Sequence, residues 1–145
     1  MPFGEFQYSV DDKGRVILPP TFRHFVQNGM VVTRGMEGCL YIYPRTDWDK
    51  IVEQLEDLPL TDAEARNFVR FFYSGAAEAN SDGNGRITLP QTLRNFAGID
   101  ASNNSVVIAG APKRLEIWNE AKWLSNLMEI QNQPPVPGIL RELVG

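Results

Sequence analysis

The sequence repeats itself. Displaced by 71 residues (82 − 11), the stretch Asp11-Asp12-Lys13-Gly14-Arg15-Val16-Ile17-Leu18-Pro19-Pro20-Thr21-Phe22-Arg23-His24-Phe25 lies over Asp82-Gly83-Asn84-Gly85-Arg86-Ile87-Thr88-Leu89-Pro90-Gln91-Thr92-Leu93-Arg94-Asn95-Phe96, with eight of fifteen positions identical. After a four-residue insertion near Ala101 to Ser105, the offset becomes 75 (106 − 31). It then pairs Val31-Val32 with Val106-Val107, Gly35 with Gly110, and Leu40, Ile42 and Trp48 with Leu115, Ile117 and Trp123. Two ordered blocks of matches divide the chain into one unit over 5–50, connecting helices over 51–75, a second unit over 76–130 and a tail over 131–145. A unit of ~50 residues has too little interior to stand alone, and isolated hairpins leave edges unpaired, so each copy needs the other.

Each unit reads alike. Phe6, Tyr8 and Val10 alternate with polar residues, Asp12-Lys13-Gly14 supplies a turn, and Val16 and Leu18 resume the alternation, which predicts a β-hairpin. Gly14 and Gly85 stand where a short loop needs a positive φ. Pro19 and Pro90 end the second strand and open a short helix, which runs through Phe22 to Val26 in the first copy. Stretches 30–33 and 40–43 flank a glycine-rich turn and predict a second hairpin, as do 105–108 and 115–118. Thr46 with Asp49, and Thr61 through Glu64, read as capping boxes for two helices, and Asn119 as the cap of a third. From Gln131 through Gly138 the tail reads as extended, with Ile139, Leu140, Leu143 and Val144 docking elsewhere. Phe68, Phe71, Phe72 and Tyr73 crowd more aromatic surface together than one helix face needs, which predicts a subunit interface. The expected fold is α+β and mainly β, a single small pseudo-twofold barrel of paired hairpins from the two copies with helices outside.

Charge and cysteine content exclude several function classes. The net charge of −4 argues by itself against nucleic acid, but the deficit is local: residues 45–70 carry −3, whereas 11–25 carry +1. The single cysteine, Cys39, excludes an internal disulfide framework and any multi-thiolate metal site, and suits a reducing cytoplasm. Met1-Pro2-Phe3-Gly4-Glu5 has no basic stretch followed by an apolar one, and no apolar run approaches ~20 residues, so neither export nor membrane insertion is expected. His24, the only histidine, is Asn95 in the second copy and has no spacing to Cys39 that suggests a nucleophile and its base. Gly83-Asn84-Gly85 lacks the following helix of a phosphate cradle. No enzyme, cofactor, metal or small-molecule substrate is expected.

The repeated turns carry the remaining chemistry. Arg15 and Arg86 stand just past a turn, where a planar guanidinium can bond bidentately to a phosphate or a guanine edge. Asp11 and Asp82, four residues earlier, can orient that guanidinium or cap the loop; the plainer alternative is an Asp–Arg pair that merely fixes the turn. Lys13 at the tip suits a phosphate, or else is a solvated turn lysine.

These paired Asp-x-x-x-Arg motifs, with Leu115-Glu116-Ile117-Trp118 and the helix around Trp123, resemble the MraZ family, which is related to the AbrB-type swapped-hairpin regulators. Copy two departs at Gly83-Asn84, where copy one has Asp12-Lys13. The family's usual basic residue between the early Phe and Gly is missing at Phe3-Gly4. The resemblance implies a double swapped-hairpin body and a sequence-specific transcriptional regulator in the cytoplasm, associated with the nucleoid and acting at division and cell-wall genes, including its own promoter. It also implies a homo-oligomeric ring of eight or twelve copies. AbrB-type relatives place a basic residue against DNA where Arg23 and Arg94 stand, four residues after the strand-ending prolines; a surface ion pair is the alternative. The partner then expected is double-stranded DNA with short direct repeats about one helical turn (~10 base pairs) apart, because a ring presents its loops in one sense. A competing reading is a non-enzymatic protein-binding module of antitoxin type.

Overall fold

A strand that is apolar at consecutive positions, as at Met30-Val31-Val32 and Leu40-Tyr41-Ile42-Tyr43, needs cover on both faces of its sheet, and this chain provides both. In the computed structural model, which describes residues 1–133 and 137–144, the elements are β1 (Glu5–Ser9), β2 (Arg15–Ile17), α1 (Pro20–Arg23) with a 3-10 turn at His24–Val26, β3 (Met30–Arg34), β4 (Leu40–Pro44), α2 (Arg45–Glu56), α3 (Ala63–Phe72), β5 (Ala77–Ala79), β6 (Arg86–Thr88), α4 (Gln91–Ala97), β7 (Ser105–Ala111), β8 (Arg114–Asn119), α5 (Glu120–Asn132) and α6 (Pro137–Val144). The architecture is mixed α+β with antiparallel pairing. A six-stranded sheet runs β1-β7-β8-β4-β3-β5, and β2 pairs with β6 as a separate ribbon. Val32, Leu40, Ile42, Ile108, Leu115 and Ile117 line the inner face of the large sheet and meet Val16, Leu18, Ile87 and Leu89 of the ribbon segments, with Phe22 and Leu93 of the short helices. Each such side chain contributes roughly 1.5–3 kcal/mol when fully buried, and both copies supply them, so the core itself fastens the copies together. The outer face carries Val31, Tyr41, Tyr43 and Trp118, covered through Trp48, Phe72 and Trp123 of α2, α3 and α5.

The registers are twofold symmetric. Arg15, Val16 and Ile17 face Thr88, Ile87 and Arg86. Leu40, Tyr41 and Ile42 face Ile117, Glu116 and Leu115, so the pseudo-axis passes by Val16/Ile87 and by Tyr41/Glu116. Beside that second point Arg114 donates to Glu116 at 2.8 Å and lies over the Tyr41 ring, 4.0 Å from its centroid. The pairing also corrects the repeat alignment. Val32 lies opposite Ile42 as Ile108 lies opposite Ile117, an offset of 76 (108 − 32) in β3 and β7, one more than the matching Val-Val pairs suggest. The inserted residues form the turn bridged between Asp100 and Asn103.

Several expectations change. The first hairpin of each unit closes only at its turn, where the Asp11 amide donates to the Arg15 carbonyl at 2.9 Å. Beyond it β1 leaves for β7 and β2 for β6 of the other copy. Alternation specifies a strand but not its partner, and the opposite copy offers Val16 and Ile87 a shared buried face. The second hairpins form as read. Among the described residues the large sheet ends at β1 and β5, and its pairings do not close a barrel. Helix α2 begins at Arg45 after Pro44, with no side-chain cap at Thr46, and α3 is capped by Asp62, whose carboxylate accepts from the Glu64 amide. Asn119 caps α5 by accepting from the Lys122 amide at 3.2 Å, and its Nδ2 donates to the Gly98 carbonyl at 2.7 Å.

The aromatic crowd serves the outer core first: Phe72 is buried, with Phe68 5.2 Å and Trp48 5.4 Å from it between ring centroids. Tyr73 is 48% exposed and stacks on Trp48. In the tail, α5 continues past Gln131 to Asn132, and α6 is helical where extended chain was expected at Pro137 and Gly138. Pro134, Pro135 and Val136 of that expectation lie outside the described residues. Ile139, Leu140, Leu143 and Val144 of α6 stand exposed. Among the described residues, no helix is long and apolar enough to cross a membrane.

Candidate nucleic-acid interface

The two turns are near-copies in atomic detail. Asp11 accepts from the Lys13 amide (3.0 Å) and the Arg15 amide (2.8 Å) at Oδ1, and from Arg15 Nε (2.8 Å) at Oδ2. Asp82 accepts from the Asn84 and Arg86 amides (both 2.9 Å) and from Arg86 Nε (2.8 Å) in the same manner. A short carboxylate can reach amides two and four residues on because the chain folds back at a glycine: Gly14 has φ 78° and Gly85 φ 77°. The bond from the Arg15 backbone amide is the main reason the Asp11 carboxyl sits below the usual value, opposed by partial desolvation and helped by the Arg15 side chain and the Lys13 amide. The Arg86 amide does the same for Asp82. Each aspartate therefore stays ionised and fixes both the loop and its arginine.

The ribbon's pleat then presents these arginines together. Val16 and Ile87 point into the core, so Arg15, Ile17, Arg86 and Thr88 share the opposite face. Arg86 stands opposite Ile17, two residues along from Arg15, which puts the two Arg Cα atoms about 8 Å apart from ordinary strand spacings. Their side chains remain 28% and 31% exposed. Nε of each is engaged, and among the described residues neither has a hydrogen-bond partner at its terminal amino groups. Ile17, 40% exposed, and Thr88 complete the face. Neither stands out in the sequence by residue type; strand alternation from Arg15 and Arg86 is the signal that finds them. Lys13 is exposed at its tip.

Arg23 and Arg94 are placed differently from an ion pair. Arg23 Nε donates to the Leu18 carbonyl and Arg94 Nε to the Leu89 carbonyl, both at 3.0 Å. Each guanidinium lies against the turn of the other copy: a Cβ on Gly85 would come within 2.5 Å of Arg23 Cζ, and one on Gly14 within 2.6 Å of Arg94 Cζ. Beside each turn is an open cleft, of about 420 Å³ next to Asp82 and Arg23 and about 360 Å³ next to Asp11 and Arg94. The second contains Asp12 and Asp100 as well and is the more acidic. Arg34 is held elsewhere, donating to the Phe71 carbonyl and lying over the Phe71 and Phe96 rings. Burial pushes the Cys39 thiol up to about 12, and His24 is exposed. Among the described residues no group of three or more His, Cys, Asp or Glu could hold a metal ion.

Comparison with known proteins adds a family. The profile described as "MraZ protein, putative antitoxin-like" matches twice, over residues 1–71 and 72–135. A protein named transcriptional regulator MraZ from Thermus thermophilus is 58% identical over 145 residues, covering 100% of both chains. One of the same name from Deinococcus radiodurans is 55% identical over 144 residues, covering 99% of each. Another, from Desulforamulus reducens, is 44% identical over 123 residues, 85% of this chain and 84% of its own length.

Proposed function

Because the chain belongs to the MraZ family, whose compared members are named transcriptional regulators, we propose that it regulates transcription by binding double-stranded DNA through the exposed face of the β2–β6 ribbon and the turns at its ends. The observation that carries this reading is the matched pair Arg15 and Arg86, each fixed at Nε by an aspartate and open at its terminal amino groups, on one exposed face. A two-stranded ribbon fits a major groove ~12 Å wide, where such amino groups can donate to guanine O6 and N7 or to phosphate. Ile17 and Thr88 lie between them, suited to thymine methyl groups, and Lys13 suits a phosphate at the tip. Arg23 and Arg94 add positive charge beside the turns. The body is read as a double swapped-hairpin fold, supported by the exchange of β2 and β6 between the copies.

One subunit offers few phosphate contacts and carries net negative charge, so the reading includes assembly. Tyr73 and the apolar side of α6 supply exposed surface for head-to-tail contacts between copies. A closed ring built that way aligns its ribbons in one sense and fits direct repeats about one helical turn (~10 base pairs) apart. Division and cell-wall genes remain the target that the family resemblance implies. A protein-binding role of antitoxin type is the second reading, favoured by the family's description and the uncovered apolar side of α6.

Gel shifts on random DNA and on the DNA upstream of the gene, over a salt series, with footprinting and light scattering, test the proposal. Protection of several same-sense elements by a large oligomer is the expected result. A monomer protecting one palindrome, or no retention of either DNA, overturns it.

A further inference from the structure

Resting on the DNA-binding reading above, we infer that Arg23 and Arg94 are positioning residues that act crosswise: Arg94 of the second copy holds the Asp11–Arg15 turn of the first, and Arg23 of the first copy holds the Asp82–Arg86 turn of the second.

Two independent contacts form each clasp. The Leu89 amide donates to the Gly14 carbonyl at 2.8 Å, and the Leu89 carbonyl accepts from Arg94 Nε at 3.0 Å. The guanidinium, turned back by that bond, lies against Gly14, where a Cβ would sit 2.6 Å from Cζ, 2.8 Å from Nε and 3.0 Å from Nη1. Gly14 is thus gripped from its carbonyl by Leu89 and on its open side by Arg94. The other turn repeats the arrangement: the Leu18 amide donates to the Gly85 carbonyl at 2.9 Å, Leu18 accepts from Arg23 Nε, and the guanidinium lies 2.5 Å from where a Gly85 Cβ would be. Glycine suits each site on two grounds, its left-handed backbone and the room it leaves for the opposing arginine, which a Cβ would push aside.

A planar group fits this role and an ammonium does not. The guanidinium presents a flat, weakly hydrated face to the glycine while its edge donates to a carbonyl, whereas lysine carries its charge on a strongly hydrated point at the end of a flexible stem. Charge alone therefore does not replace Arg23 or Arg94. Each Asp–Arg turn depends on an arginine distant in the chain: Arg94 and Arg15 are 79 positions apart (94 − 15), and Arg86 and Arg23 are 63 apart (86 − 23).

Amide hydrogen exchange on Arg94→Lys and Arg94→Ala in the full-length protein, alongside DNA titrations at several salt concentrations, tests the clasp. The expected result is that Lys13, Gly14 and Arg15 exchange several-fold faster, because Gly14 loses the guanidinium packed on it and the neighbouring Leu89 carbonyl loses its charge-assisted donor, while Asn84, Gly85 and Arg86 keep wild-type rates. Arg23→Lys should do the reverse. Affinity should fall in the lysine variants as in the alanine ones, although the lysine variants keep the charge and the salt slope of wild type. Unchanged exchange at 13–15, with binding rescued by lysine and a salt slope lowered by about one in the alanine variant, overturns the inference in favour of a direct phosphate contact. Faster exchange spread evenly over both turns overturns its crosswise form. If Arg94→Ala does not fold, Arg94→Lys carries the test. If wild type retains no DNA, the DNA-binding reading fails, while the exchange pattern still decides the clasp.

Discussion

Arg15 owes its aim to Asp11, and the two must be judged together. With Nε held by the carboxylate, the guanidinium can offer only its outer edge, which is the edge a guanine or phosphate meets. Arg15→Ala should weaken DNA binding by ~1–3 kcal/mol for each guanine edge no longer read, and by more where linked copies multiply it; Arg86→Ala should act likewise. Titration of labelled operator DNA, with circular dichroism to check the fold, measures both. The aspartates add a pH dependence whose sign follows from their lowered carboxyls. In the unfolded chain they protonate near the ordinary 3.8, and in the folded turn at lower pH. Their stabilisation is complete above the ordinary value and disappears as pH falls through the lowered one. Amide shifts of Lys13, Arg15, Asn84 and Arg86 should therefore move with midpoints below 3.8, and Asp11→Asn should abolish the movement in its own turn only. The Asp and Arg of both turns were legible in the sequence, because a recurring Asp-x-x-x-Arg around glycine is a local pattern. The service Arg23 and Arg94 give was not, because their Nε bonds are local while the glycine each covers belongs to the other copy.

Among the elements, α5 illustrates how one side chain can seat a helix. Asn119 ends β8, caps α5 through the Lys122 amide and ties the turn at Gly98 to both. Asn119→Ala should remove about 1 kcal/mol of capping and ~0.5–1.5 kcal/mol more through the lost hydrogen bond to the half-buried Gly98 carbonyl. At this chain length each kcal/mol lowers the melting temperature by roughly 2–4 °C, which a thermal melt resolves. Asn119 was readable as a cap because a good capping residue stands directly before a helical pattern. Thr46 and Thr61 misled for the same reason. Helix α2 starts at Arg45, ahead of Thr46, with Pro44 in the capping position and no side-chain cap, and Asp62 stands one place closer to the helix it caps. The strand misreading has another origin: Phe6, Tyr8, Val16 and Leu18 alternate as a hairpin should, but a period of two records only which face is buried. The choice between β1 and β6 as partner for β2 is made by the core. The Val-Val run at 31–32 likewise could not fix its own register, since either offset sets valine over valine or over isoleucine.

For the whole molecule, β1, β2, β5 and β6 each find their hydrogen-bonded partner in the other copy. The chain should accordingly unfold in one transition, with near-ultraviolet and far-ultraviolet signals superimposing along a denaturant curve; two separated steps would mean that the copies fold independently. The registers have a further consequence for how such a protein can diverge. In a dimer of identical single units, a residue on the axis must face its own duplicate, so every change there arrives doubled and must suit itself. Joining the units in one chain removes that restriction. Where the axis passes β4 and β8, a tyrosine faces a glutamate, and Arg114, whose counterpart is Cys39, attends to both. At the turn tips, Asp12-Lys13 and Gly83-Asn84 have also parted company around the same Asp and Arg. A single gene can thus tune two otherwise equivalent surfaces apart while the interior between them keeps its symmetry.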